Sequence, residues 1–297
     1  MARRLRLVSL LPLLLAVTAL AQTPGPDAAG ARFARSSNGF GLDLYRQLRS
    51  TPGNLVVSPA SVTTALAMAW GGARGRTAEE MQAVLRFERP AAETMQVSGR
   101  LAAALTDPKR PVTFRIANRL FGEQSFRFER AYLESTNAAY GAALEPLDFR
   151  RAADQARERI NGWVEQQTEQ RIRDLVPPGG IGATTRLVLV NAIYFLGDWA
   201  APFKKDATQP APFSTSRTDR KSVPTMHQTE TLRFVEKDGV KVLELPYRGR
   251  DMAMLVILPD QVDGLEAVER SLSEPRLQEL VAALVLSGSR WPSRSSR

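Results

Sequence analysis

Residues able to do chemistry are scarce in this chain. Its 297 residues include one histidine, His227, and no cysteine. The missing thiols exclude disulfides, thiol catalysis and thiolate metal sites. A Ser-His-Asp hydrolase needs its histidine beside an activated serine and an orienting carboxylate. His227 lies in Val223-Pro-Thr-Met-His-Gln228 with no such partner nearby in sequence. No G-x-S-x-G elbow, S-x-x-K, H-E-x-x-H, P-loop or G-x-G-x-x-G occurs, so a structural His227 is the expected reading. The pair Glu79-Glu80 falls in the first turn of an expected helix, where the macrodipole favours carboxylates without any catalytic role. No metal and no cofactor are expected. Asn191 is the more informative polar residue. It is the one amide in the apolar run Leu187-Val-Leu-Val-Asn-Ala-Ile-Tyr-Phe195. A buried amide left without partners costs about 1–3 kcal/mol, so Asn191 must find some.

The elements that position these residues follow from pattern. Phe33, Phe40, Leu44 and Leu48 recur near helical spacing and predict a helix over 33–49, ended by Pro52-Gly53. Asn54 to Val57 reads as a short strand. Ser58-Pro59 then opens a helix, with serine suited to the N-cap and proline to the first helical position. The stretch Ser61 to Trp70 is apolar nearly all round and is expected to be buried on all sides. Thr77-Ala-Glu-Glu80 reads as a capping box leading a helix to Leu85. Further helices are expected over 92–105, 129–140, 152–170, 265–271 and 275–286. Strands are expected over 112–120, 143–148, 187–195, 226–235, 240–247 and 252–258. The 187–195 strand is too apolar for a solvent face and belongs inside a sheet. Helices and strands mix without strict alternation, which indicates an α+β fold.

Composition bounds the rest. The 43% hydrophobic and 24% charged content is that of a globular chain with a sizeable core. Residues 1–21 read as a cleaved secretory signal. Arg3, Arg4 and Arg6 precede an apolar run too short to span a bilayer comfortably, and Ala19-Leu-Ala21 fits a cleavage site. Export is therefore expected, with no membrane attachment after cleavage, and residues 22–32 read as a flexible lead-in. The formal charge of +9 is concentrated at the ends. Removing the three signal arginines and the terminal Arg290, Arg294 and Arg297 leaves about +3. No basic stripe interleaved with aromatics is present, so a nucleic-acid partner is not expected.

Several blocks, in order along the chain, resemble the serpin family of serine protease inhibitors. They are Asn54-Leu-Val-Val-Ser58-Pro59-Ala-Ser61-Val-Thr-Thr-Ala-Leu-Ala-Met68 with Gly71 to Thr77, and Leu187 to Phe195 with Gly197, Trp199 and Pro202-Phe203. Ala117 to Phe121, Ile160 to Val164, Ile172 to Pro177, Val223 to Gln228 and Leu245-Pro246-Tyr247 agree. The resemblance covers 33–286. It implies a large mixed sheet with smaller sheets and about eight helices. It also implies a suicide mechanism: a serine protease cleaves an exposed loop, is held as an acyl-enzyme, and the loop inserts as a new strand in the large sheet. Through the resemblance, Ser58, Ser61 and Asn191 belong to the shutter where that sheet opens, and Trp199 to the breach at its top. From the residues alone, Ser58 reads equally as an N-cap and Trp199 as core.

The resemblance stops after Leu286. Residues 287–297 have neither apolar periodicity nor family character, and no hinge-like run of small residues followed by a reactive loop is found. The expectation is a chain ending before its reactive loop and so not inhibitory itself, with the 187–195 strand left as an exposed edge. The alternatives are a non-inhibitory serpin-like binding protein or an inactive fragment and, remotely, a secreted hydrolase.

Overall fold

The computed structural model describes residues 28–286. The signal segment and the 287–297 tail lie outside the described residues, as does most of the lead-in. The chain divides into two compact units. Among the described residues, one holds 28–41 and 59–196, the other 42–58 and 197–286.

The first unit carries a helical layer on a three-stranded sheet. Helix α1 (Ala28–Leu48) begins five residues before the expected start, so 28–32 are helical rather than lead-in, and its last turns belong to the other unit. Helices α2 (Pro59–Gly72), α3 (Gly75–Leu85), α4 (Ala91–Leu105) and α5 (Arg130–Tyr140) follow. Strands β1 (Thr113–Glu123), β2 (Leu144–Leu147) and β3 (Leu187–Leu196) pair in the order β2-β1-β3, with β2 parallel and β3 antiparallel to β1. Helix α6 (Ala153–Gln167) packs on this sheet. Its Ile160, Trp163 and Val164 meet Phe121 of β1 and Val190 of β3, all buried. Full burial of each such side chain contributes about 1.5–3 kcal/mol. The Phe121 and Trp163 rings meet edge to face at 5.8 Å. Met68 of α2, fully buried, packs with Leu120 of β1 and Ala142, against Leu187 and Leu189 of β3.

The other unit is built on a four-stranded antiparallel sheet, β8-β7-β6-β9, from β6 (Arg233–Lys237), β7 (Val240–Pro246), β8 (Ala253–Pro259) and β9 (Val285–Leu286). Helix α7 (Leu265–Ser271) contributes Val268, and α8 (Glu274–Ala282) contributes Leu280, to a core with Val240 and Val242. A separate hairpin pairs β4 (Gln209–Ser214) with β5 (Arg220–Thr225).

Several expectations shift. Residues 54–57 join no ladder, because no described strand runs beside them. Helix α3 starts at Gly75 with Arg74 as N-cap and no side-chain cap bond, so Thr77 lies inside it and forms no capping box. Helix α2 is not buried on all sides: Val62, Ala65, Leu66 and Ala69 form a half-buried stripe. The 226–235 strand shrinks to β6, while the β4–β5 hairpin carries too few apolar residues to announce itself by alternation. Helix α8 stops at Ala282, and residues 285–286 pair with β6 instead.

Glu123 fastens one end of the three-stranded sheet. Its amide donates to the Arg186 carbonyl (2.9 Å). Its buried carboxylate accepts from the Ser125 hydroxyl (2.6 Å), the Ser125 amide (3.1 Å) and the Phe149 amide (2.8 Å). The Ser125 hydroxyl first, then the amides of Ser125, Phe149 and Arg150, hold the carboxyl below its usual range against the opposing effect of burial. A depressed folded-state pKa stabilises the fold above the unfolded value and loses that contribution as pH falls through the folded one. Glu123→Gln is therefore expected to lower the melting temperature at neutral pH, with the deficit closing in acid. A pH series of thermal melts on both proteins checks this, and a deficit that grows in acid contradicts it.

A close helix crossing gives a second expectation. A Cβ placed on Gly99 of α4 would lie 1.9 Å from the Ala139 carbonyl oxygen of α5. Gly99→Ala must push the two helices apart and is expected to cost about 1–3 kcal/mol in chemical denaturation, although alanine has the higher helix propensity.

Candidate functional site

Two local arrangements hold the residues singled out by the sequence. In the first unit, β1 and β3 pair so that Asn118 lies directly opposite Asn191. The Asn191 Nδ2 donates to Asn118 Oδ1 at 2.7 Å. The Ser61 hydroxyl, on the first turn of α2, donates to Asn191 Oδ1. A column of three polar side chains thus runs from helix α2 through β3 to β1, in a setting otherwise built of Leu, Val, Ala and Ile. One turn of α2 supplies a further polar contact, Ser37 Oγ to Thr63 Oγ1 at 3.1 Å, both buried.

The structure brings Ser61 and Asn191 together. Ser58 stands half-buried immediately before Pro59, at the start of α2, and belongs to the other unit. Asn118 was not singled out as a site residue, yet it supplies the amide's second partner. A signal existed in the alternation of β1: Asn118 is the uncharged polar residue between Ile116 and Leu120. The register that sets it opposite Asn191 is a long-range property that no local pattern carries.

Trp199 lies in the other unit, just beyond the end of β3. It forms an isolated antiparallel bridge with Tyr247. Their rings stack at 4.6 Å and 10°. The Ala200 amide donates to the Pro246 carbonyl (2.9 Å) and the Arg248 amide to the Asp198 carbonyl (2.8 Å), so the backbone holds the two rings in register. Burial raises the Tyr247 hydroxyl pKa above its ordinary value.

The Nδ1 of His227 is buried and takes no hydrogen bond. Among the described residues no group of three His, Asp or Glu side chains could hold a metal ion. No described helix is long and apolar enough to cross a membrane.

The serpin (serine protease inhibitor) family profile matches residues 35–290. The chain belongs to the serpin family. The family match reaches slightly past Leu286, the last residue of the resembling blocks. Leukocyte elastase inhibitor of Equus caballus is 39% identical over 248 residues, spanning 81% of this chain and 65% of the relative. Serpin B3 of Homo sapiens is 37% identical over 258 residues, spanning 81% and 66%. The chain thus spans just under two thirds of the length of these curated relatives. Ovalbumin from the emu, Dromaius novaehollandiae, superposes with a TM-score of 0.81 at 30% identity, over 86% of this chain and 71% of that one. A cleaved serpin, Serpin 42Da, gives 0.82 at 32% identity, over 88% and 70%. This chain therefore has the serpin α+β fold, with eight helices and mixed sheets among its described residues.

The column is expected to act as a unit. Asn191→Leu removes the acceptor of the Ser61 hydroxyl and the donor to Asn118 Oδ1, and is expected to cost about 1–2 kcal/mol given their partial exposure. Adding Ser61→Ala to it should cost less than Ser61→Ala costs the wild type, because the bond the two residues share is already gone. Urea titrations of the two single variants and the double check this, and additive losses would show that the contacts are independent.

Proposed function

We propose that this chain is the receiving scaffold of a serine protease inhibitor that works by strand insertion. The observation that carries the reading is the state of β3. This ten-residue apolar strand pairs with β1 on one side only, and among the described residues its other edge takes no strand. An unpaired edge of that length and apolarity is a template for another strand. In the mechanism the family implies, the target's serine oxygen attacks the scissile carbonyl of an exposed loop. The peptide bond breaks, the new amine departs with the proton, and an ester links loop to protease. Insertion of the cleaved loop beside β3 then traps that ester before water reaches it. The inhibitor contributes metastability and no catalytic group, so we assign no enzymatic activity to it.

In this reading Ser58, Ser61 and Asn191, joined by Asn118, form the shutter beside which the sheet parts. The Trp199–Tyr247 stack is the breach. Its partner is a serine protease. The arginines and apolar run of residues 1–21 support export, so the target is placed outside the cytoplasm. The residues in hand supply the sheet and not the bait, since no hinge-like run and reactive loop are found in them.

Incubating the purified 297-residue polypeptide with chymotrypsin, trypsin and pancreatic elastase, followed by denaturing electrophoresis, tests this. No covalent complex stable to detergent is expected with any of them. A complex that resists detergent but yields to hydroxylamine, as an acyl ester does, would place the reactive bond within these residues and overturn that division of labour.

A further inference from the structure

The outer edges of the described strands are blunted, with two exceptions. Strand β2 carries Pro146, β4 carries Pro210 and Pro212, and β5 carries Arg220, Lys221 and Pro224. Strand β9 is only Val285–Leu286. Proline, charge and shortness are the devices that keep an edge from pairing. The exceptions are β3, the receiver of the inserted loop in the proposed mechanism, and β8 in the other unit. From Ala253 to Leu258, β8 reads Ala-Met-Leu-Val-Ile-Leu, without charge, proline or glycine. Strand β7 pairs along one of its edges, and among the described residues no strand lies along the other.

The backbone of β8 shows what that open edge can accept. In an antiparallel ladder, hydrogen-bonded pairs alternate with non-bonded ones. The Tyr247 amide donates to the Met252 carbonyl and the Asp260 amide to the Gly239 carbonyl, each at 2.9 Å. Both bonds keep the β7–β8 register, so Met254, Val256 and Leu258 also turn their amides and carbonyls to β7. Ala253, Leu255 and Ile257 turn theirs to the open edge. Pro259 ends that row, having no N–H to offer. An antiparallel second copy with its two-fold axis at Leu255 uses the whole row. Leu255 then meets Leu255 of the second copy, and Ala253 meets its Ile257. The same register brings Arg250, just before the strand, level with Asp260 of the second copy, just after it. This happens at both ends of the ladder. Arg250 is exposed, and Lys241 holds the Asp260 carboxylate in place at the strand's end. Moving the axis to Val256 sets Ala253 against Pro259, which cannot donate. Moving it to Met254 sets Ile257 against Asp251. Either move parts Arg250 from Asp260.

We infer that the open edge of β8 is an interface between two copies of this chain, joined antiparallel about Leu255. The two four-stranded sheets become one continuous sheet. Cross-strand pairs are apolar along the ladder, and an Arg250–Asp260 pair closes each end. Self-complementarity favours a second copy over another protein. An unrelated strand could use the backbone row, but it would not match the charges at both ends. The interface uses no part of β3 and does not depend on strand insertion there.

The chain has no cysteine, so introduced thiols report the register cleanly. About a Leu255 axis, Met254 faces Val256 of the second copy as a non-bonded pair, with Cα atoms about 4.5 Å apart and within reach of a disulfide. Mixing Met254→Cys with Val256→Cys under mild oxidation is expected to give a covalent dimer. Each variant alone should give little, since its thiol then faces valine or methionine. Linking by either variant alone as strongly as by the mixture, or no linking in the mixture, would overturn the inference. Sedimentation equilibrium of the 297-residue polypeptide gives a second readout. The wild type is expected to pass from monomer to dimer in the micromolar range. Arg250→Glu, which sets two carboxylates together at each end, should weaken the dimer about tenfold, while Arg250→Lys should keep it. Arg250 is exposed and lies outside the ladder, so these two variants keep the fold and decide the matter if a cysteine variant does not fold. A wild type that stays monomeric throughout that range would overturn the inference. So would a dimer indifferent to Arg250→Glu, which is how association through β3 would show itself.

Discussion

The structure around the sheet depends on one constraint: β3 is too apolar to meet water on either face. Val188 and Val190 turn to α6, and Leu187 and Leu189 to the Met68 side of the sheet. Covering both faces takes a helix on each. Those helices in turn dictate much of the remaining chain. Helix α6 needs a return segment to reach the start of β3, and α2 needs α4 and α5 beside it. What the faces do not settle is the strand's edges. One is closed by β1 along its whole length, the other by nothing among the described residues.

Proteins usually blunt such an edge with lysine, proline, a bulge or an inward charge. From Leu187 to Leu196 there is none of these. The strand is built to be paired. The inhibitor reading needs a sheet stable enough to fold yet ready for one more strand. The half-buried stripe on α2 shows that the apolar surface here exceeds what the described residues cover.

Much of this was legible in the sequence, and physics marks where legibility ended. Elements with strong periodicity came out within a residue or two, β3 and α4 among them, because each buries a defined face. Elements whose form depends on distant partners did not. Residues 54–57 have strand composition but no neighbour to pair with. Thr77-Ala-Glu-Glu80 has the letters of a capping box, yet the helix starts at Gly75, with Arg74 in the N-cap place expected of Thr77. The hairpin β4–β5 is mostly exposed and carries little apolar signal. At the site, Asn191 declared itself as one amide in an apolar run. Its partners split by the range of the information: Ser61 was reachable through the family blocks, Asn118 only through the register.

That register gives the polar column its deeper role. A strand has a side-chain period of two, so a slip of one residue sends every side chain to the opposite face. An all-apolar β3 would tolerate such a slip cheaply, since Leu, Val, Ala and Ile suit either face. Asn191 removes that freedom. Its amide is satisfied only where it faces Asn118 across the ladder and Ser61 from the helix. In the slipped register it would face apolar side chains, at the cost of about 1–3 kcal/mol for each buried polar group left without a partner. One polar contact among many apolar ones specifies alignment rather than strength, as a single buried asparagine does in a coiled coil. A sheet that must part and accept a strand has particular need of this. Apolar packing is non-directional and re-forms in several alignments, whereas the Ser61–Asn191–Asn118 column re-forms in one.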